Sequence, residues 1–323
     1  MLSCPHRGAR TRGASRVNVF VTGGTGLVGR RLVRQLTQRG DAVVALTRRP
    51  EAVRELLGAG VTIVDGDPAQ PAAWLDALVA CDAVIHLAGE NVFALRWTVA
   101  FKELLRSSRI QSTENVVQGL ARQPRTPSGH PKVLVNASAI GYYGPHGDEL
   151  LEESSQPGDD FLAHLCVDWE KAACAAESHG VRVAVVRVGM VLDKEGGALK
   201  QMLKPFKLGV GGPVGRGRQW VSWIHHADLS GLLLLALDNA AARGPLNGTA
   251  PNPVTNREFG KALGRALHRP AFLPTPAFAL RVALGQVAVL ATTGQRVLPR
   301  QAQALGYAFR FPTIDAALTD ILA

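Results

Sequence analysis

Short apolar runs alternate with segments of helical spacing along the first 190 residues of the chain. Consecutive apolar residues predict buried strands, whereas apolar residues that recur every three or four positions predict helices. The predicted strands are Val17–Val21, Ala42–Leu46, Val61–Val64, Asp82–Leu87, Lys132–Asn136 and Arg182–Arg187. The predicted helices are Leu27–Arg39, Ala72–Val79, Trp97–Ala121 and Phe161–Ser178. Apolar strands that alternate with helices indicate an α/β fold with a doubly wound parallel sheet.

The pattern changes after residue 190. Stretches rich in Gly and Pro at 209–217 and 244–253 separate shorter elements. We therefore predict a main domain over residues 17–190, to which later segments return, and a smaller C-terminal substrate lobe over residues 191–323.

The composition supports a folded core, and the charge is partly concentrated at the start of the chain. Hydrophobic residues make up 46% of the 323 residues and charged residues 19%, which excludes general disorder. The formal net charge is +10. Residues 1–16 are predicted to be a disordered basic extension, because they contain no acid and four arginines: Arg7, Arg10, Arg12 and Arg16. An organellar transit peptide and a start codon placed too far upstream are the alternatives.

No pattern points to a metal, a membrane or a nucleic acid. The cysteines form no C-x-x-C pair and no zinc spacing, so reduced thiols in a cytoplasmic protein are expected. The apolar stretch 229–237 is too short to span a bilayer, and the stretch 277–291 contains Arg281. Aromatic residues make up only 6% of the chain, which does not favour stacking on nucleic-acid bases. We expect a small-molecule substrate, while the oligomeric state is not encoded in a readable pattern.

A glycine-rich segment separates the first predicted strand from the first predicted helix. Its glycines follow the spacing Gly23-x-x-Gly26-x-x-Gly29. Small residues permit a tight turn and close approach of a pyrophosphate, and the helix N-terminus offers unpaired N–H groups. This position favours a Rossmann-type dinucleotide site over a glycine-rich turn without a ligand. The predicted cofactor-binding residues here are Gly23, Thr25, Gly26, Leu27, Val28 and Gly29.

The end of the second strand bears on the choice between NAD and NADP. An acid that binds the ribose is expected about 20 residues beyond the glycine loop, but the sequence there reads Leu-Thr-Arg-Arg-Pro at 46–50. The guanidinium of Arg48 can pair with a 2′-phosphate and Thr47 can add a hydroxyl. We therefore predict NADP(H) as the cofactor. Asp67, after the third strand, is predicted either to contact the adenine or to cap the following helix.

Several motifs together resemble the extended short-chain dehydrogenases/reductases. These motifs are T-G-G-T-G-L-V-G at 22–29, H-L-A-G-E at 86–90 and S-A-I-G-Y-Y-G at 138–144. The resemblance is closest to an atypical, sugar-epimerase-like branch of NAD(P)-dependent proteins with a small C-terminal domain, here at about 269–323. The branch motifs are R-W-T at 96–98, S-R-I at 108–110, D-W-E-K-A at 168–172, G-x-G-G-P-V-G at 209–215, W-I-H-H-A-D-L at 223–229 and G-Q-R-V-L-P at 294–299.

The resemblance implies roles for individual residues. Leu87, Ala88 and Gly89 would line the adenosine and ribose, while Arg109 and Val191 match positions near the cofactor. Ser138 matches the active-site serine of extended members.

The catalytic tyrosine of the superfamily has no counterpart with the usual spacing. That chemistry needs a Tyr and a Lys four residues later, because the lysine lowers the pKa of the phenol. The chain contains no Y-x-x-x-K, and Lys171 in the expected helix is preceded by Val167 at the tyrosine position. Lys171 is predicted either to touch the nicotinamide ribose or to be a solvated helix lysine. Tyr142 is our candidate for the missing phenol, with Tyr143 and simple aromatic packing as alternatives.

Two functions are compatible with these features. The first is an NADP-dependent oxidoreductase or epimerase that acts on a small polar substrate, for which a nucleotide sugar is one candidate. The second is a protein that senses NADPH with little or no turnover, because the Tyr–Lys pair is absent. Ser138, Tyr142 and Lys171 are the predicted catalytic residues of the first.

Overall fold

The computed structural model describes residues 16–323, so that residues 1–15 of the predicted basic extension lie outside the described part. The strands are β1 (Asn18–Thr22), β2 (Ala42–Thr47), β3 (Val61–Asp65), β4 (Ala83–His86), β5 (Val133–Ala139), β6 (Leu150–Leu151), β7 (Arg182–Val188), β8 (Met190–Leu192), β9 (Trp220–Val221), β10 (Trp223–His225), β11 (Gly244–Gly248), β12 (Val254–Thr255) and β13 (Arg296–Val297).

The helices occupy the segments between these strands and most of the C-terminal end. They are α1 (Leu27–Gln38), α2 (Pro50–Leu57), α3 (Trp74–Val79), α4 (Val99–Arg122), α5 (Phe161–Cys174), α6 (Gly197–Lys207), α7 (His226–Asp238), α8 (Asn256–Leu267), α9 (Ala277–Leu284), α10 (Val289–Thr292), α11 (Arg300–Ala304) and α12 (Ile314–Leu322). Three 3₁₀ turns within residues 16–323 cover Ile140–Tyr143, Ala175–His179 and Gly285–Ala288.

The main sheet of residues 16–323 holds seven parallel strands in the order β3-β2-β1-β4-β5-β7-β11. The chain order reverses between β1 and β4, so the loops after these two strands border a crevice at the carboxyl edge of the sheet. The predicted α/β fold with a Rossmann-type doubly wound sheet is therefore confirmed.

Apolar side chains cover both faces of the sheet, which is why its strands are almost continuously apolar. On one face, α1 and α7 pack against the strands through residues that include Leu32, Leu36, Leu229 and Leu233. On the other face, α3 and α4 do so through Trp74, Leu78, Val116 and Leu120.

Two predicted boundaries differ from the structure at the site. Strand β5 continues to Ala139, so Ser138 lies within the strand and pairs in register with Arg187 of β7. Buried polar residues lengthen the strand because their side chains find partners inside the protein. The helix expected over 161–178 ends as α5 at Cys174 and continues as a 3₁₀ turn.

The chain after residue 190 divides its elements between the sheet and a second core. Strand β11 extends the main sheet beside β7, whereas α6, α8 and α12 share an apolar cluster with Leu203, Phe206, Phe259 and Leu318. This arrangement has the returning segments that we expected, although the division at residue 190 stays a prediction. Within residues 16–323, every helix is too short or too polar to cross a membrane.

Candidate cofactor and active site

The glycine loop between β1 and α1 is tight and lies against the end of β4. Gly23 has a φ of +67°, and a Cβ atom there would lie 2.7 Å from the backbone carbonyl of Leu87. A Cβ atom on Gly29 would lie 2.2 Å from the carbonyl oxygen of Gly23. Gly26 caps α1 without a side-chain hydrogen bond, so N–H groups of the first turn remain available to an anion. The structure thus brings the predicted loop residues to one edge of the crevice.

The end of β2 carries a free cation. Arg48 is exposed and forms no hydrogen bond or ion pair with any residue of the described range 16–323. Thr47 is buried, and its Oγ1 accepts a 3.2 Å hydrogen bond from the backbone N–H of Arg49. The arrangement leaves the Arg48 guanidinium exposed, and its pairing with a 2′-phosphate stays a prediction.

Asp67 has a local role in the turn after β3. Its Oδ1 accepts a 2.9 Å hydrogen bond from the backbone N–H of Ala69. Helix α3 begins only at Trp74, with Ala73 as its N-terminal cap, so Asp67 stabilises the turn rather than the start of the helix. Its predicted contact with the adenine stays a prediction.

Arg109 is fixed by backbone carbonyls at the end of β4. Its guanidinium donates to the carbonyls of Leu105 at 3.1 Å and Glu90 at 2.9 Å, and it lies 5.2 Å from the ring centre of Trp169. Burial lowers the pKa of Arg109, the Glu90 carboxylate partly opposes this, and the guanidinium forms no ion pair within residues 16–323. Because a Cβ atom on Gly89 would lie 3.2 Å from this side chain, the predicted residues Leu87, Ala88 and Gly89 lie directly beside it.

A buried histidine lies beneath the loop, and sequence reasoning missed it. His86 is fully buried, with its ring nitrogens 2.7 Å from Thr22 Oγ1 and 3.1 Å from Ser112 Oγ. Thr22 Oγ1 also accepts a hydrogen bond from the backbone N–H of Ala88. Burial lowers the pKa of His86 to about 3, so the ring is neutral at physiological pH. His86 therefore joins β1, β4 and α4 under the crevice without adding charge.

Val191 lies in β8, and the loop that follows it reaches the start of α1. A Cβ atom on Gly196 would lie 2.9 Å from the side chain of Leu27. Arg31 of α1 forms a 2.5 Å ion pair with the buried carboxylate of Asp193. These contacts bring Val191 to the same edge of the sheet as the glycine loop.

Ser138 belongs to a buried polar cluster at the carboxyl ends of β5 and β7. Its hydroxyl donates a 2.7 Å hydrogen bond to Glu170 Oε1 on α5. Arg187 on β7 donates to both carboxylate oxygens of Glu170, at 2.9 Å from Nε and 2.8 Å from Nη2. Burial lowers the pKa of Arg187, but its bonds to Glu170 outweigh this effect and raise it above the ordinary value. The carboxylate is thus held in one orientation, facing the serine.

The two tyrosines after β5 differ in environment. Tyr143 is fully buried, donates to Asn247 Oδ1 at 2.7 Å and accepts from Arg187 at 3.0 Å. Burial raises the pKa of Tyr143 to about 12, which fits a structural phenol. Tyr142 is half-buried, and its ring centre lies 3.4 Å from the guanidinium carbon of Arg187. Of the two, Tyr142 is therefore the phenol that remains accessible to a ligand.

The exposure of Lys171 agrees with the second of its two predicted roles, a solvated helix lysine. Lys171 lies on the exposed side of α5 and contacts none of the cluster residues. The pair four residues apart that faces Ser138 is Cys166 and Glu170, because one residue along a helix rotates the side chain by about 100°. Burial raises the pKa of the Cys166 thiol to about 12, although the nearby Ser138 hydroxyl and Ala139 N–H oppose this. A thiol and a carboxylate thus face Ser138, each one position before the residues Val167 and Lys171 that match the phenol and the lysine of the resemblance.

The His-His-x-Asp motif at 225–228 has structural contacts. His225 Nδ1 accepts from the Ala227 N–H at 3.0 Å, and its Nε2 lies 3.1 Å from Asp320. The buried Asp228 accepts from the backbone N–H groups of Arg310 and Phe311. Within the described residues, 16–323, no group of three or more His, Cys, Asp or Glu side chains could hold a metal ion.

The crevice, the glycine loop and the buried serine cluster define a Rossmann-type nucleotide-binding protein. The model of the NAD dependent epimerase/dehydratase family matches residues 19–247, and a domain of unknown function, DUF1731, matches residues 275–321. The chain therefore belongs to the NAD-dependent epimerase/dehydratase family, which confirms the resemblance to atypical extended short-chain dehydrogenases/reductases.

Curated relatives match nearly the whole chain. The chloroplastic SDR39U1 homologue of Arabidopsis thaliana is 40% identical over 95% of this chain and 87% of its own length. The human epimerase family protein SDR39U1 is 38% identical over 95% of this chain and 100% of its own.

Solved structures agree with this assignment. The crystal structure of human SDR39U1 (isoform 2) with NADPH has a TM-score of 0.81 and 36% identity, and the match covers 94% of this chain and 99% of that one. The structure of MoeE5 with UDP-glucose and NAD has a TM-score of 0.74 at 21% identity, over 94% and 97% of the two chains. The second similarity shows the fold alone.

Proposed function

We propose that the protein is an NADP(H)-dependent oxidoreductase or epimerase that acts on a small polar substrate. The observation that carries this proposal is the Ser138–Glu170–Arg187 cluster, which lies at the same edge of the sheet as the glycine loop. A nucleotide site alone would not require a buried hydroxyl whose orientation is fixed by an ion pair.

The residues present fit the cofactor. The tight turn that Gly23 and Gly29 permit and the open N-terminus of α1 suit a pyrophosphate, while the guanidinium of Arg48, which has no partner within residues 16–323, suits a 2′-phosphate. The prediction of NADP(H) is confirmed at the level of the family, since the structure of a human relative includes NADPH. The bound cofactor supplies or accepts a hydride. Arg109 and Val191 are proposed to lie along it.

We assign proton handling to Ser138 and Glu170. The serine hydroxyl donates to the carboxylate, so a lone pair on Oγ remains to accept the proton of a substrate hydroxyl. As that proton arrives, the serine proton moves to Glu170; in the reverse direction the carboxyl proton returns through Ser138 to the substrate oxygen. Arg187 stabilises the carboxylate charge through two hydrogen bonds. Tyr142 borders the same space and is proposed to orient the substrate.

A two-stage experiment tests the proposal. Titration of the purified protein with NADPH should shift and intensify the fluorescence of the cofactor. A panel of small carbonyl and hydroxy compounds should then reveal oxidation of NADPH or reduction of NADP⁺, and Ser138→Ala should abolish turnover while NADPH affinity stays unchanged. The absence of any fluorescence change would refute the proposal at its first stage.

The second candidate function is a sensor that binds NADPH and converts no substrate. It is favoured by the absence of Y-x-x-x-K and by the raised pKa of the Cys166 thiol, because a protonated thiol is a poor base. NADPH binding that changes protease sensitivity, with no compound of the panel consumed, would favour this role. Turnover that depends on Ser138 would argue against it.

A further inference from the structure

A cleft of about 570 Å³ opens between the beginnings of α4 and α5 on one side and the segment from α9 to α10 on the other. Trp97, Phe161, Leu162 and Val289 contribute apolar surface, while Lys102 and Arg281 contribute cations. Volumes of this size are typical of sites for small organic ligands.

The cleft adjoins the proposed active site through Leu162. This side chain lies one helical turn before Cys166 on α5. A Cβ atom on Gly141, in the turn that carries Tyr142, would lie 3.3 Å from Leu162 Cβ. A ligand in the cleft would therefore be separated from the Ser138 cluster by little more than one side chain.

Apart from the exposed amide of Gln286, the uncharged polar side chains of the walls are satisfied within the protein. Trp97 Nε1 donates to the carbonyl of Val92 at 2.9 Å, and its ring meets that of Phe161 edge to face at 5.6 Å. The hydroxyls of Thr292 and Thr293 donate to the helix carbonyls of Ala288 and Val289. These walls therefore offer few hydrogen-bond donors to a sugar, and they favour an apolar body instead.

The two cations of the cleft lack acidic partners. Lys102 Nζ lies 4.9 Å from the ring centre of Phe161, and neither Lys102 nor Arg281 forms an ion pair within residues 16–323. The one carboxylate of the lining belongs to Asp160, which caps α5 by accepting a 2.8 Å hydrogen bond from the Ala163 N–H. Two cations against one occupied carboxylate leave the cleft positively charged.

We propose that this cleft binds an amphipathic anion: an organic acid with an apolar body whose carboxylate pairs with Lys102 and Arg281. The apolar body lies against Trp97, Phe161 and Leu162. Where the proposed oxidoreduction holds, this organic acid is the substrate, with its reacting oxygen directed towards Ser138. The substrate class is then a small hydroxy or oxo acid with an apolar body rather than a nucleotide sugar.

The test uses 8-anilinonaphthalene-1-sulfonate as the anionic probe and N-phenyl-1-naphthylamine as its uncharged counterpart. Both are titrated by fluorescence in the absence of nucleotide, so the result does not depend on NADPH binding or turnover. We expect the sulfonate to bind the wild type with one-to-one stoichiometry. The double variant Lys102→Met/Arg281→Met should weaken the sulfonate about tenfold and leave the uncharged probe unchanged.

Two control variants test whether the fluorescence comes from probe bound in the cleft. Arg54→Met removes an exposed cation on α2, outside the cleft, and should leave both titrations unchanged. Phe278→Ser removes a 72% exposed ring on α9 and should also have no effect. Equal affinity of the sulfonate for wild type and double variant would overturn the proposal, as would loss of binding in Phe278→Ser. Competition by decanoate but not by acetate would further support an apolar acid, and competition by neither would count against it.

Discussion

The hydroxyl of Ser138 donates a 2.7 Å hydrogen bond to the carboxylate of Glu170, which Arg187 holds from the other side. This contact joins β5, α5 and β7 at the carboxyl edge of the sheet. It also fixes which face of α5 borders the site: Cys166 and Glu170 face the serine, whereas Lys171 faces solvent. The acid–base chemistry that we propose for this chain therefore starts from a carboxylate in place of an ammonium group.

The buried ion pair predicts a large loss of stability in Glu170→Gln. The Arg187 and Glu170 side chains are only 4% and 12% exposed, and the variant would leave the guanidinium buried without a countercharge. We expect the free energy of unfolding to fall by about 3 kcal/mol, measured by urea denaturation. Asp168→Asn is the matched control, because the pair of Asp168 with Arg106 is exposed and should contribute less than about 1 kcal/mol. Equal losses in the two variants would contradict the structural account.

The glycine loop predicts a sharp effect of Gly29→Ala on NADPH binding. The new methyl group would lie 2.2 Å from the Gly23 carbonyl oxygen, so the loop must open and lose its fit to a pyrophosphate. NADPH affinity should fall at least about tenfold, a loss of about 1.4 kcal/mol, in a fluorescence titration. Gly60→Ala serves as control, since a Cβ atom there meets nothing within 4 Å. Unchanged affinity in Gly29→Ala would place the nucleotide elsewhere.

Arg48 predicts the preference for NADPH over NADH. Its guanidinium is exposed and has no partner within residues 16–323, so Arg48→Gln should leave the unfolding free energy unchanged. The variant should weaken NADPH about tenfold or more and leave NADH affinity nearly constant, because only NADPH carries the 2′-phosphate. Parallel titrations with the two nucleotides measure the ratio of NADPH affinity to NADH affinity. If Arg48→Gln lowered both affinities equally, Arg48 would attract the nucleotides by charge in general and would not recognise the 2′-phosphate.

Features of the fold and site that one short segment determines could be predicted from the sequence. The glycine loop, the alternation of strands and helices and the cation after β2 each follow from a short segment whose geometry its own residues dictate. Strand β11 and the buried partners of Ser138 depend on contacts between distant segments: Ser138 and Glu170 are 32 positions apart, and Tyr143 and Asn247 are 104 apart. No local pattern encodes such pairs.

The outward orientation of Lys171 has a specific physical origin. The superfamily spacing of a Tyr and a Lys four residues apart points to position 171, yet its neighbour Glu170 is the residue that turns inwards. The sequence D-W-E-K at 168–171 offers charged residues on three sides of the helix. Only the depth of α5 against β5 and β7 decides which of them is buried.

His86 predicts a pH dependence of stability on the acid side. Burial lowers the pKa of its ring from 6.5 to about 3 in the folded protein, so the unfolded chain binds the extra proton first as the pH falls. The stabilising contribution is complete above pH 6.5 and is lost progressively towards pH 3, by about 1.4 kcal/mol per pH unit.

Because other groups also titrate in this range, the quantity to measure is the difference in unfolding free energy between wild type and His86→Gln, from urea unfolding at several pH values. That difference should narrow as the pH falls from 6.5 to 5, whereas the exposed His179→Gln should track the wild type throughout. A constant difference between wild type and His86→Gln would mean that the buried ring does not titrate as its surroundings require.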